Sequence, residues 1–179
     1  MLAFSDPVHQ SQTVFREVLE AMAHPGRIVE LSVAPALEAV ALTLFDADVE
    51  VWAPPGEPRR AWLRERCGCR LTDHPAAAAF AVISEASELP PLDAFASGTP
   101  VEPERSTTIV LAVRALRGGT RTRLRGPGIS GEVAVAPQVP ASFWEAWTRN
   151  ASRSPLGVDV ILASDTAVLA LPRSAQVAG

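Results

Sequence analysis

The chain has 179 residues, is 47% apolar and carries a net charge of −4. That length and apolar content suit one domain with a real core and exclude a disordered chain. The acidic balance argues against a nucleic-acid protein, and no apolar run reaches the roughly 18 residues of a membrane span.

All 16 basic residues are arginine. Without lysine there is no Schiff-base amine, which excludes the usual pyridoxal-phosphate enzymes. A Walker A loop is excluded for the same reason. Tyrosine is also absent, so no phenol serves as an acid or base. The start, "MLAFSDPVHQ", has neither a basic n-region nor an apolar h-region, so a cytoplasmic location is expected. Cys67 and Cys69 are too close for an unstrained disulfide. Two ligands also fall short of the four in a closed zinc site, and His9, His24 and His74 are scattered. Reduced thiols and no metal are expected.

In chain order, Asp6 and Pro7 predict a helix start. Phe15, Val18, Leu19 and Met22 then recur as one apolar stripe, and His24-Pro25-Gly26 ends the helix. Asp6, Gln12 and Arg16 line one side of it at spacings near four and read as a solvated face, with a polar seam as the alternative. "RIVELSV" reads as a strand and "PALEAVALTLFD" as a buried helix. "VEVWA" is a short strand, and "RRAWLRERC" a short helix with a basic outer face. A strand is predicted around residues 80–83, and "PLDAFASG" reads as a helix closed by Gly98. "TTIVLAV" is apolar on both faces and predicts the central strand. "RTRLRGPG" and "GEVAVAP" read as two strands joined by a turn. "PASFWEAWTRNAS" is a helix carrying Phe143, Trp144 and Trp147. "SPLGVDVILAS" and "DTAVLALPR" read as paired strands turning at Asp165-Thr166. The expected architecture is a single three-layer α/β/α domain, residues 1–179, with a mixed sheet that includes an antiparallel portion.

No assembled catalytic set emerges. "GPGISG" lacks the following helix of a dinucleotide fingerprint, and Pro127 removes an amide donor, so a tight turn is favoured over an anion nest. Gly126 and Gly128 are carried as candidate ligand contacts on the anion reading. Arg105, Ser106 and Thr107 cluster just before the central strand and form a second candidate for binding an anion. The alternative is that they satisfy backbone groups where the strand begins. Ser106 is a nucleophile only with a base beside it. Asp159 sits in an apolar run and calls for an arginine partner. Trp147 is a candidate interface anchor, with core packing as the competing reading.

The segments "FSDPVHQSQTVFREVLEAMAHPG", "LTLFDADVEVW", "GTPVEPERSTTIVLAV", "LRGPGI", "FWEAWTRN", "PLGVDVIL" and "LPR" occur in this order over nearly the whole chain. In this the chain resembles the H subunit family of the bacterial carbon–phosphorus lyase system (PhnH). The resemblance implies an α/β/α fold akin to the large domain of pyridoxal-phosphate transferases, without that cofactor. It implies a homodimer in isolation and a core complex with the G, I and J subunits. With G, I and the L protein, that family supports attachment of an alkylphosphonate to the ribose C1 of ATP, with release of adenine. The resemblance supplies no catalytic residue for this subunit. The chain departs from the family after "WLR", where "ERCGCR" replaces an aromatic-His-Thr-Gly-Ala-like run.

Overall fold

A computed structural model describes residues 3–178. Asp6 caps the first helix, α1 (Pro7–Ala23), by accepting a hydrogen bond from His9 N–H. Pro7 suits the first turn because its missing N–H would have no helical partner there. His24 ends the helix, donating its backbone N–H to Glu20 O.

The large sheet has seven strands. They are β1 (Ile28–Glu30), β2 (Glu50–Trp52), β3 (Arg70–Thr72), β4 (Phe80–Ile83), β5 (Thr108–Ala112), β8 (Asp159–Ala163) and β9 (Ala167–Leu171). Their spatial order is β1-β9-β8-β5-β4-β2-β3. The run from β3 to β8 is parallel. β9 and β1 close the other edge antiparallel. β5, the most β-branched and apolar strand, lies at the centre, as its sequence predicts. The β8–β9 hairpin turns at 164–166, also as predicted.

A second sheet holds β6 (Thr122–Arg125), β7 (Val133–Val135) and β10 (Gln176–Val177) in the order β10-β6-β7. The other helices are α2 (Ala36–Leu44), α3 (Arg59–Trp62, continued by one wider turn to Cys67) and α4 (Ala141–Ala151).

Side chains alternate across a strand, so each face of the large sheet builds its own core. Val51, Val82, Val110, Ile161, Val168 and Ala170 pack with α1, α2 and α3 on one face. Ala81, Ile83, Ile109, Leu111, Leu162 and Leu169 pack with α4 and the small sheet on the other.

Three expectations are corrected. The α1 stripe is rotated: Val14, Val18 and Ala21 are buried, while Phe15 and Leu19 are 44% and 50% exposed. Two apolar stripes overlap on this helix, and its packing against α2 and β9 selects one of them. "PLDAFASG" forms only the 3-10 turn Leu92–Ala94. That turn suffices to bury Leu92 and Phe95, whose ring meets Trp52 edge-on at 5.6 Å. Gly98 (φ +74) does not close a helix; the Pro103 backbone would lie 2.6 Å from a Cβ placed there. Finally, β3 and β10 arise where no strand is predicted, because both are short and gain their pairing only from neighbours.

Candidate functional site

Arg105, Ser106 and Thr107 stand at the amino edge of β5. Thr107 is fully buried and its Oγ1 donates to Ala78 O at 2.6 Å. Ser106 is buried, bridges Ser97, and its Oγ has no hydrogen-bond partner. No base therefore activates it. Arg105 is exposed and pairs with Glu102 at 2.9 Å. The three thus point to different surroundings: Thr107 to the backbone of the neighbouring segment, Ser106 to the interior and Arg105 to the surface.

The glycine turn packs against the rest of the chain. A Cβ at Gly126 (φ +143) would lie 2.6 Å from Ser174 O. One at Gly128 (φ +80) would collide with Ala23 O and Pro25 Cδ. Ile129 N–H donates to Gly126 O at 3.1 Å. Close backbone approach, which only glycine permits, accounts for both residues.

Asp159 finds the arginine its burial demands. Arg173 Nε donates to Oδ1 at 3.0 Å, Nη2 donates to Oδ2, and Arg173 N–H donates to Oδ1 at 2.7 Å. Arg173 Nη1 also reaches Pro103 O at 2.7 Å. The pair ties the end of β9 to the start of β8 and to the 99–105 loop.

The structure places Trp147 in the core, the competing reading of this residue. Its side chain is fully buried, stacks on Phe143 at 6.3 Å, and donates Nε1–H to Ala175 O at 2.9 Å. The α4 moment turns it into the core beneath β10. The cysteines stay thiols: burial and the neighbouring Cys69 push Cys67 up to about 12, and burial raises Cys69 as well. Among the described residues, no cluster of three or more metal-ligating side chains exists.

Several clefts lie at the opposite, carboxyl edge of the sheet. The five parallel strands run second-first-third-fourth-fifth across the sheet, so the winding direction reverses between β2 and β4. Crevices at the carboxyl ends of such strands are where doubly wound sheets take ligands. At the reversal, a cleft of about 360 Å³ lies between Pro54–Arg59 and Ser84–Glu88. Arg59 lines it. It donates to Glu38 Oε1 at 3.1 and 3.3 Å and to Ser84 Oγ at 2.6 Å. Glu57 stands 3.9 Å away. Glu57, Glu85 and Glu88 make this cleft acidic, so it repels anions.

The neighbouring cleft, between the ends of β4 and β5, has a volume of about 680 Å³. Ser84, Glu85, Arg114, Thr120 and Gln138 contribute its polar groups. A further cleft of about 530 Å³ shares Thr120 and holds Arg121, Arg123, Ala141 and Trp144. The sequence carried a signal for this region. Arg114, Arg117, Arg121, Arg123 and Arg125 fall within twelve residues, and no acid occurs between Glu104 and Glu132. Composition taken over the whole acidic chain hides that local excess.

Residues 2–178 match the family model described as bacterial phosphonate metabolism protein (PhnH). The chain is 39% identical to the alpha-D-ribose 1-methylphosphonate 5-triphosphate synthase subunit PhnH of Rhizobium meliloti (strain 1021), covering 97% of this chain and 93% of that protein. It is 33% identical to the putative C-P lyase subunit protein HtxG of Stutzerimonas stutzeri, covering 94% and 86% respectively. The seven ordered segments and the near-complete match agree: the chain belongs to the PhnH family of bacterial phosphonate metabolism proteins.

Proposed function

We propose that this chain is a subunit of a carbon–phosphorus lyase core complex in phosphonate catabolism. Within that complex it supports, with the G, I and L proteins, transfer of an alkylphosphonate to the ribose C1 of ATP with release of adenine. The observation that carries this reading is the near-full-length match to a synthase subunit at 39% identity. On this reading the chain is a cytoplasmic homodimer when isolated and joins the G, I and J subunits in the cell. The same family reading favours an α/β/α layering akin to the large domain of pyridoxal-phosphate transferases. Separate cores on the two faces of the large sheet support it. No pyridoxal phosphate is involved, since no lysine is available to anchor it.

Native mass spectrometry after co-expression with the G, I and J subunits of the same genome tests the assignment. A stable assembly containing this chain is expected. A homodimer that ignores the other three overturns it. A second reading, in which the chain itself binds a phosphonate or nucleotide intermediate as an independent small-molecule-binding or catalytic domain, is favoured by the arginines at the carboxyl edge.

A further inference from the structure

We propose that the carboxyl-edge clefts joined at Thr120 form a binding site for an oligophosphate chain. This rests on the reading that the chain itself holds an anionic intermediate, and it names the ligand chemistry and the place. Like charges crowded together oppose folding unless something compensates them. Among the described residues, Arg114, Arg117, Arg121 and Arg125 form no ion pair. Only Arg123 does, with Glu132 at 3.5 Å on the surface. The excess is therefore not neutralised by direct ion pairs among the described residues.

The α4 N-terminus meets the same clefts. Gln138 and Val139 line one, and Ala141 the other. Pro140 at the N-cap supplies no side-chain acceptor and no acid stands in the first turn. The positive end of the eleven-residue helix thus faces the arginines without a neutralising carboxylate. A separate observation points to a ligand. Trp144 lines this cleft at 8% exposure, and its Nε1–H is buried without a hydrogen-bond partner. A buried donor left unpaired is costly, and an acceptor in the cleft can satisfy it once the ring shifts to expose Nε1.

The shape favours a small polyanion over an acidic protein face. The volumes, about 680 and 530 Å³, lie in the range of small-molecule sites. Guanidinium forks match phosphate oxygens two at a time. Glu85, which also lines the first cleft, disfavours an anion beside it and leaves Arg114 and Thr120 as the groups that receive one. Glu30 and Asp165, which border a third cleft with Arg114 and Arg117, discourage it from spreading there.

Calorimetry of the full chain with sodium tripolyphosphate at low salt tests the site. Arg114 and Arg121 are exposed and unpaired, so Arg114→Gln/Arg121→Gln keeps the fold, which circular dichroism verifies. Wild type is expected to bind, with affinity that falls as salt rises. The double variant is expected to lose affinity by about tenfold or more. Arg105→Gln, at the opposite edge of the sheet, is expected to bind as wild type does. No heat and no thermal shift at millimolar ligand overturns the proposal. So does undiminished binding by the double variant, or binding lost in Arg105→Gln alone. Assembly with the G, I and J subunits is measured on the same proteins. A chain that assembles but takes no tripolyphosphate loses this site and keeps its role as a subunit. Assembly lost in the double variant without any tripolyphosphate binding by wild type reassigns the arginines to an acidic partner face and overturns the proposal.

Discussion

Removing Arg173 is expected to be among the most damaging single changes in this chain. Its side chain and that of Asp159 are 16% and 12% exposed, so water cannot readily replace the lost partner. In Arg173→Ala, the Asp159 carboxylate keeps the backbone N–H at 2.7 Å but loses both guanidinium contacts. Pro103 O loses its donor as well. Breaking a buried pair from one side costs about 3–5 kcal/mol, because a charge is left without compensation. For a chain of this size, about 2–4 °C of Tm accompanies each kcal/mol, which gives a fall of roughly 6–20 °C. Differential scanning calorimetry reads this directly. Asp159→Asn/Arg173→Ala is expected to lose less than the sum of the two single changes, since the pair acts as a unit. A loss in Arg173→Ala of under about 1 kcal/mol would refute the reasoning, because that is the scale of a solvated surface pair.

Four further outcomes are expected. Gly128→Ala places a side chain at φ +80 against Ala23 O; a cost of about 2 kcal/mol or more in urea unfolding is expected. Trp147→Ala empties a fully buried site and leaves Ala175 O without its donor; a loss of about 3–5 kcal/mol is expected, read as a fall in Tm of the isolated chain and not as a selective loss of assembly. Asp6→Ala removes the α1 cap and should cost about 1 kcal/mol, visible as a small shift of the thermal midpoint. The folded chain holds the Cys67 proton up to about pH 12, whereas the unfolded chain releases it near the ordinary 9.0. Stability from this group is therefore complete below about 9 and declines as pH rises toward 12, and native Cys67 should react with a thiol reagent at pH 8 more slowly than after denaturation.

Local chemistry made much of the fold legible from sequence. Asp6 and Pro7 fix where α1 begins through groups within one turn of chain. The run from Thr108 to Ala112 is apolar on both faces, and such a strand satisfies its side chains only in the middle of a sheet with a core on each side. Asp159 declared its need for an arginine because a carboxylate cannot be buried alone. The order of seven segments carried the family.

Tertiary structure decided what depends on neighbours distant in sequence. Phe15 and Val14 are equally apolar, and only the positions of α2 and β9 determine that Val14 is buried and Phe15 faces outward. Trp147 looked equally suited to a surface or a core until β10 and Ala175 closed over it. The clefts form where Ser84, Arg114, Thr120 and Gln138 meet, residues brought together only by the winding of parallel strands. Their arginines are visible in the sequence as a cluster, but its place at the carboxyl edge beside the α4 N-terminus is a property of the packed sheet. A charge cluster acquires a function only when the fold gives it a concave surface and withholds its counter-ions, and no local pattern encodes either condition.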